Sequence, residues 1–447
     1  MSLNLNFAKK FAADKLTKLA LDYIQKNPEQ NFSKILDIGE KLAKRKNHKD
    51  AIDVIRSQYQ NNPVIKDYLK KLSTLAPSYK KGFLVNFLIN SALLGIPCQY
   101  DMAEKIQADV PWTILIDPTS ACNLSCEGCW AGEYDKSDTL EFDTIDRIIT
   151  EAKEMGIYFI VLSGGEPTLY PDLFKLFEKH NDVGFMMYTN GTLIDNEFAD
   201  KLIEVGNVTP AISLEGFKEE TDQRRGQGTY NKIMNAMDRL NERGIIFGAS
   251  VTATRNNLDE VFSDKFIEHL ISKGAMYMWS FHYIPIGRNP NLDLMLTPKQ
   301  RYDLANRVND LRSNKPLFIM DFWNDGRFTN GCIAGGRRYF HINAKGEAEP
   351  CAFAHFSVDN IKNKSLKEIL QNPLFKSYQK RQPFNNNQMC PCPIIDNPKA
   401  LREIVNESNA KPTHPGADNI LKGDTAKGLD TISKQWQQKS KDLLSNK

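Results

Sequence analysis

The sequence predicts an α/β protein built around a parallel β-sheet, open or curled into a partial barrel. A helical N-terminal region and a small cysteine-containing C-terminal extension flank it. Three observations predict this. Between about residues 111 and 285, short runs rich in β-branched and aromatic residues alternate six times with stretches of helical periodicity. Before residue 108 apolar residues recur at helical spacings, without a convincing strand. After residue 316, strand and turn signals surround four of the eight cysteines.

The chain has 447 residues, room for two or three domains or one large barrel with appendages. Hydrophobic residues make up 41% and charged residues 25%, which excludes wholesale disorder. The 58 basic and 55 acidic residues leave a net charge of +3, too small to imply nucleic-acid binding. No run of ~18 apolar residues occurs, so no membrane-spanning helix is expected. The N-terminus lacks an apolar targeting core, so a cytoplasmic protein is expected. In a reducing compartment, sparse but clustered cysteines point to metal binding or catalysis rather than to a disulfide scaffold.

The elements follow in order. Phe7, Phe11, Leu16, Leu19 and Tyr23 lie on one face of a helix over Phe7–Gln25. Lys80 and Lys81 precede a mostly apolar stretch, 83–97, suited to a buried helix or an interfacial one. Six strands are expected at 113–117, 158–163, 184–189, 209–215, 245–253 and 275–285. Helices are expected from Phe142 to Met155, after Pro171, and over 195–205, 230–243 and 258–273. Thr297-Pro298 reads as the N-cap and first residue of a helix reaching 313. The segment 343–347 reads as a hairpin turn. The tail is polar, partly disordered, with a peripheral helix over 427–445. The boundaries are 1–108 for the helical region, 109–296 for the core, 297–400 for the extension and 401–447 for the tail.

Chemistry in a parallel α/β sheet gathers at the C-terminal strand ends. There, directly after the first strand, stand Cys122, Cys126 and Cys129 with spacing C-x3-C-x2-C. Thiolates are the usual iron–sulfur ligands, and three of them leave one corner of a four-iron cubane open. The alternatives are a zinc knuckle lacking one ligand, or three unrelated thiols. After the second strand comes Ser163-Gly164-Gly165-Glu166-Pro167, whose paired glycines permit close backbone approach. Thr189-Asn190-Gly191-Thr192 follows the third strand, and Ser213-Leu214-Glu215-Gly216 follows the fourth. Asp222 and Arg225 precede Gly226-x-Gly228-Thr229-Tyr230.

This set resembles the radical S-adenosylmethionine (radical SAM) superfamily, over roughly residues 111–285 and past 390. The resemblance implies a partial (β/α)6 barrel and a catalytic [4Fe–4S] cluster on Cys122, Cys126 and Cys129. It implies that S-adenosylmethionine is cleaved reductively to a 5′-deoxyadenosyl radical, which abstracts hydrogen from an unactivated C–H bond. It assigns Gly164, Gly165, Glu166 and Pro167 to the methionyl ammonium side, and Asn190 to the nucleoside side. Ser213 and Glu215 fall to the ribose, and Arg225 to the methionyl carboxylate, with adjacent Arg224 the alternative. The family's usual aromatic before the third cysteine is replaced by Gly128, and Trp130 follows that cysteine. Trp130 reads either as an adenine contact or as core packing.

Cys332, Cys351, Cys390 and Cys392 resemble the start of a SPASM or shorter "twitch" extension, which carries auxiliary [4Fe–4S] clusters. Four cysteines allow at most one such cluster. The final C-x-C spacing departs from the usual C-x2-C, so Cys390 is the least secure ligand of the four. Structural zinc is the alternative. Cys98 reads as a buried free thiol. His282 and Tyr283 fall at the barrel mouth, with Asp321, Trp323, Asp325, Arg337, Arg338 and His341 as further candidates.

Three functions are open at this point. The favoured one is radical SAM modification of a peptide or protein side chain. The second is modification of a membrane lipid or other long apolar substrate, with peripheral contact of the N-terminal helices at the inner face of the membrane. The third is a non-catalytic iron–sulfur or zinc redox sensor. The enzyme readings imply a flavodoxin- or ferredoxin-type electron donor and a peptide, lipid or small-molecule substrate, and no nucleic-acid partner.

Overall fold

The structure is a computed structural model that describes residues 28–42 and 46–442. The helix expected over Phe7–Gln25 lies outside the described residues. The six expected strands all form: β1 Thr113–Ile116, β2 Phe159–Leu162, β3 Gly184–Thr189, β4 Val208–Leu214, β5 Gly248–Ala253 and β6 Tyr277–His282. Each pairs in parallel with the next. All four residues of β2 are buried, consistent with a sheet covered on both faces.

The sheet has nine strands, not six, because the extension feeds both of its edges. Strand β7, Phe318–Asp321, joins β6 in parallel. Strand β8, Tyr339–Ile342, joins β1 in parallel, and β9, Ala348–Glu349, closes the expected hairpin beside it. The barrel core and the extension therefore share one hydrogen-bonded sheet.

The connecting helices bury the faces their periodicity sets. On Phe142–Glu154 these are Ile145, Ile148, Ile149 and Ala152. The helix expected over 258–273 is two, Leu258–Val261 and Asp264–Ser272. Ser263 breaks it by capping the second piece, accepting a hydrogen bond from the Phe266 amide. Thr297 caps Pro298–Asn314 in a reciprocal capping box with Gln300.

Two elements extend beyond what the sequence suggests. A 30-residue helix, Pro77–Ile106, is long and apolar enough to cross a membrane by length and composition. The apolar run itself is short, but the helix continues beyond it at both ends and is wound as a π-helix over Phe83–Gly95. The tail is also better ordered than its polarity suggests. Helix Gly423–Lys439 buries Ala426, Leu429, Ser433 and Trp436, an i, i+3, i+7, i+10 stripe. The Trp436 indole donates to the Met389 carbonyl at 2.9 Å, and its ring lies 4.3 Å from the Arg301 guanidinium.

Candidate active site

The loop after β1 carries the three cysteines to the C-terminal end of the sheet, where neighbouring loops grip its backbone. The Gly165 amide donates to the Thr119 carbonyl at 3.0 Å, and the Glu166 amide donates to the Ala121 carbonyl at 2.7 Å. This contact explains the paired glycines. A β-carbon at Gly165 would stand 2.1 Å from the Ala121 oxygen, and Gly164 sits at φ +113 with the Thr119 oxygen 2.4 Å from its missing β-carbon. Asn190 donates to the Asn123 side chain at 2.8 Å, and Asn123 donates to the Thr192 hydroxyl at 2.9 Å. Arg224 donates to the carbonyls of Glu127 and Gly128 at 3.1 and 3.4 Å. From the segment after β6, the Arg288 amide donates to the Cys129 carbonyl at 3.0 Å, and its guanidinium donates to the Cys126 carbonyl at 3.3 Å.

Cys122, Cys126 and Cys129 are free thiols, each half-buried. Burial raises the Cys122 and Cys126 pKa values above the ordinary thiol value, and Arg225 opposes this at Cys126. The neighbouring thiols raise both further, Cys126 and Cys129 acting on Cys122 and Cys129 acting on Cys126. Three half-buried thiols on one loop, held by backbone hydrogen bonds from its neighbours, supply the ligand type and number that a four-iron cluster with one open corner takes.

The remaining expected residues ring this loop. Buried Glu166 accepts from the Thr168 amide and hydroxyl, the Thr189 hydroxyl and the Asn190 amide, at 3.1, 2.7, 2.7 and 2.7 Å. Burial raises its pKa, and those donors oppose the rise. Pro167 opens the short helical turn behind it. Ser213 is half-buried at the end of β4. Glu215 is buried and pairs with both arginines, 2.6 Å to Arg224 and 2.5 Å to Arg225. Burial works against the Arg225 charge, but Glu215 outweighs it and holds the pKa above its ordinary value. Arg224 also holds the loop backbone; both arginines act on Cys126, Arg225 more strongly, and Arg225 acts on Cys129 as well.

Tyr283 occupies the space opened by Gly128. A β-carbon at Gly128, where φ is +61, would stand 3.0 Å from the Tyr283 ring. Trp130 takes the packing alternative. It stacks on His355 at 5.8 Å and meets the edge of Phe353 at 6.1 Å. His282 and Asp321 form a buried pair, 3.1 Å apart, against Trp323. His341 lies buried between Asp117 at 2.8 Å and Glu349 at 2.7 Å. Asp325 pairs with Arg312 at 2.6 Å, Arg337 donates to the Cys332 carbonyl at 2.7 Å, and Arg338 is exposed.

A second site lies in the extension, where Cys332, Cys351 and Cys392 line a cavity of about 160 Å³. Amides of Phe353 and Ile394 point at the Cys351 and Cys392 sulfurs from 3.5 and 3.3 Å, and the Tyr339 hydroxyl donates to Cys351 at 2.7 Å. Such donors stabilise sulfur bound to iron. Burial pushes the Cys351 thiol up to about 11. Cys390 is not part of this lining. It is buried beside Ala305, Met389 and Trp436, 3.3 Å from the Ser440 hydroxyl. Cys98 is half-buried, not fully buried, and rests against Gly156.

Asn123, Arg288 and Tyr339 are site residues that sequence reasoning missed. Arg288 follows a strand end, which is a positional signal. Asn123 and Tyr339 carry no signal of their own, because their roles depend on partners 69 residues and 12 residues away.

Three half-buried thiols on the first βα loop, clipped by a glycine pair from the second, define an iron–sulfur enzyme of parallel-barrel type. The comparisons agree. The radical SAM superfamily matches residues 116–262, and the iron–sulfur cluster-binding SPASM domain matches residues 332–393. The AdoMet-dependent heme synthase of Methanosarcina barkeri is 25% identical over 294 residues, covering 59% of this chain and 83% of that protein. The mycofactocin maturase MftC of Mycolicibacterium smegmatis is 30% identical over 261 residues, 55% of this chain and 65% of that protein. Streptococcus suis SuiB, solved bound to precursor peptide SuiA, shares the fold with a TM-score of 0.55 at 17% identity, over 67% of this chain and 75% of that one. The chain is a radical SAM enzyme with a SPASM-type extension. Its cofactors are a [4Fe–4S] cluster, S-adenosylmethionine and an auxiliary iron–sulfur cluster.

Proposed function

We propose that this radical SAM enzyme modifies a peptide or protein side chain. The observation that carries the reading is the extension itself. It completes both edges of the barrel sheet and sets a second thiol-lined cavity beside the mouth. SuiB, solved with a precursor peptide, has this fold, and a maturase is among the relatives by sequence.

Cys122, Cys126 and Cys129 hold the catalytic cluster. When bound, that cluster supplies the electron that cleaves the cosubstrate and so yields the hydrogen-abstracting radical. Gly164, Gly165, Glu166 and Pro167 form the wall for the methionyl ammonium, and Asn190 fixes the cysteine loop against β3. Arg225, oriented by Glu215, takes the methionyl carboxylate, a task suited to a planar guanidinium. Ser213 serves the ribose side. Cys332, Cys351 and Cys392 hold the auxiliary cluster, and Cys390 is structural. The reductant is a flavodoxin- or ferredoxin-type donor, and the enzyme works in the cytoplasm.

The test uses extract from cells grown in deuterated medium and divided into peptide, chloroform-soluble and small polar fractions. Each is incubated anaerobically with the reconstituted enzyme, reductant and S-adenosylmethionine. Deuterium in 5′-deoxyadenosine from the peptide fraction is the expected result. Transfer from the chloroform-soluble fraction alone would replace the peptide reading with the lipid one.

A further inference from the structure

The helix Pro77–Ile106 lies across the end of the sheet opposite the cysteine loop, with its asparagines turned inward and an apolar strip turned outward. Its small and polar residues face the protein. Asn86 donates to the carbonyls of Asn181 and Val183 at 3.0 and 3.1 Å, Asn90 to that of Asp182 at 3.0 Å, and Gln99 to that of Gly156 at 2.9 Å. β-carbons at Gly82 and Gly95 would stand 2.0 and 2.4 Å from the carbonyl oxygens of Gly206 and Gly156. All these partners belong to loops leading into β2, β3 and β4, the end opposite the cysteine loop.

Leu84 is buried against the protein as well, but six other apolar residues face the other way. Leu88 and Leu94 are 38% and 43% exposed, and Val85, Ile89, Ala92 and Leu93 are half-exposed. None of these six packs on the hydrophobic core, although their neighbour Phe87 does. A surface helix in water turns its polar stripe outward. The reversed arrangement suits an apolar medium on the outer side, and a contiguous apolar face of this kind marks an interaction surface. No charged residue stands between Lys81 and Asp101, while Lys80 and Lys81 cap the N-terminal end of the stretch. Asp101 and Glu104 lie beyond its other end.

We propose that this face docks the enzyme on the surface of an anionic lipid bilayer. Leu88, Leu94 and their neighbours enter the boundary between headgroups and acyl chains, and Lys80 and Lys81 meet the lipid phosphates. The helix lies on the bilayer and does not cross it, because its polar side is already bonded to the barrel. The cysteine loop then points away from the bilayer, so docking leaves the mouth open to a soluble substrate.

The full chain is tested by flotation with vesicles of equal parts phosphatidylglycerol and phosphatidylcholine, and with vesicles of phosphatidylcholine alone. It should float with the anionic vesicles, less as salt rises. Replacing Lys80 and Lys81 with Gln should weaken partitioning by about five-fold per lysine. Leu88→Asp with Leu94→Asp should abolish flotation at an unchanged melting temperature; if melting shifts, Leu88→Ser with Leu94→Ser replaces it. A chain that stays in the aqueous layer with both vesicle types would overturn the proposal, as would an aspartate variant that floats like the native chain. A dimer by light scattering that dissociates in the aspartate variant, without flotation of the native chain, would overturn it in favour of a second copy.

Discussion

The Cys390 thiol lies 3.3 Å from the hydroxyl of Ser440, which caps helix Gly423–Lys439, while Cys392 opens into the thiol-lined cavity. In an extended segment residues i and i+2 share a face, so a C-x-C run laid out straight would put both thiols on one side; here the chain turns through Pro391, and Cys392 lines the cavity while Cys390 packs against the tail. Cys392→Ala should lower bound iron by about four atoms per chain, the content of one cubane. Cys390→Ala should leave iron content and the auxiliary cluster's paramagnetic signal intact. Iron analysis and electron paramagnetic resonance of both variants check this.

Gly165→Ala should displace the cysteine loop. Its β-carbon would meet the Ala121 and Ser120 carbonyl oxygens at 2.1 and 2.3 Å, and backbone cannot rotate aside. A cost of about 1–3 kcal/mol is expected, with loss of the spectral change that S-adenosylmethionine induces in the reduced cluster. Gly228→Ala is the contrast. No atom lies within 4 Å of its missing β-carbon, so only left-handed backbone strain of about 1–2 kcal/mol remains, and cluster assembly should survive.

The two adjacent arginines should separate by assay. Arg225→Lys should weaken S-adenosylmethionine binding by about tenfold or more, with iron content unchanged. Arg224→Ala should lower iron content, because it removes the hydrogen bonds to the Glu127 and Gly128 carbonyls. Equilibrium dialysis and iron analysis distinguish the two outcomes.

His341 should make stability sensitive to alkali. Burial disfavours its charge, but Asp117 and Glu349 outweigh this and raise its pKa to about 10. His355 and Tyr134 also contact Glu349. A raised histidine pKa contributes stability that is full below its ordinary value of about 6.5 and is lost as pH rises through about 10. The melting temperature should therefore fall between pH 7 and pH 10.5. His341→Gln leaves two buried carboxylates without their cation, so it should cost about 3–5 kcal/mol at neutral pH and flatten that dependence.

Much of the fold was legible in the chain. β3 begins and ends where alternation and turn residues predict, and Thr297-Pro298 caps its helix as its chemistry requires. The cysteine triplet and the glycine pair were legible because each motif is local. The partners of those residues were not. The glycines serve the loop of Thr119–Ala121, and Glu215 joins Arg224 and Arg225 across nine and ten residues. The tail helix was underestimated because a stripe of Ala426, Leu429 and Trp436 among lysines and glutamines is weak until a surface exists to receive it.

By itself the sequence determined the alternating βα order, the radical SAM cysteine loop and the number of thiols available to the extension, since periodicity and ligand spacing are properties of neighbours along the chain. Only the tertiary structure decided that β7 and β8 complete the barrel sheet, that Cys390 turns from Cys392, and that the long helix faces inward with its asparagines. Each of those outcomes depends on which distant backbone groups need a hydrogen-bond partner, and that need exists only once the chain has folded.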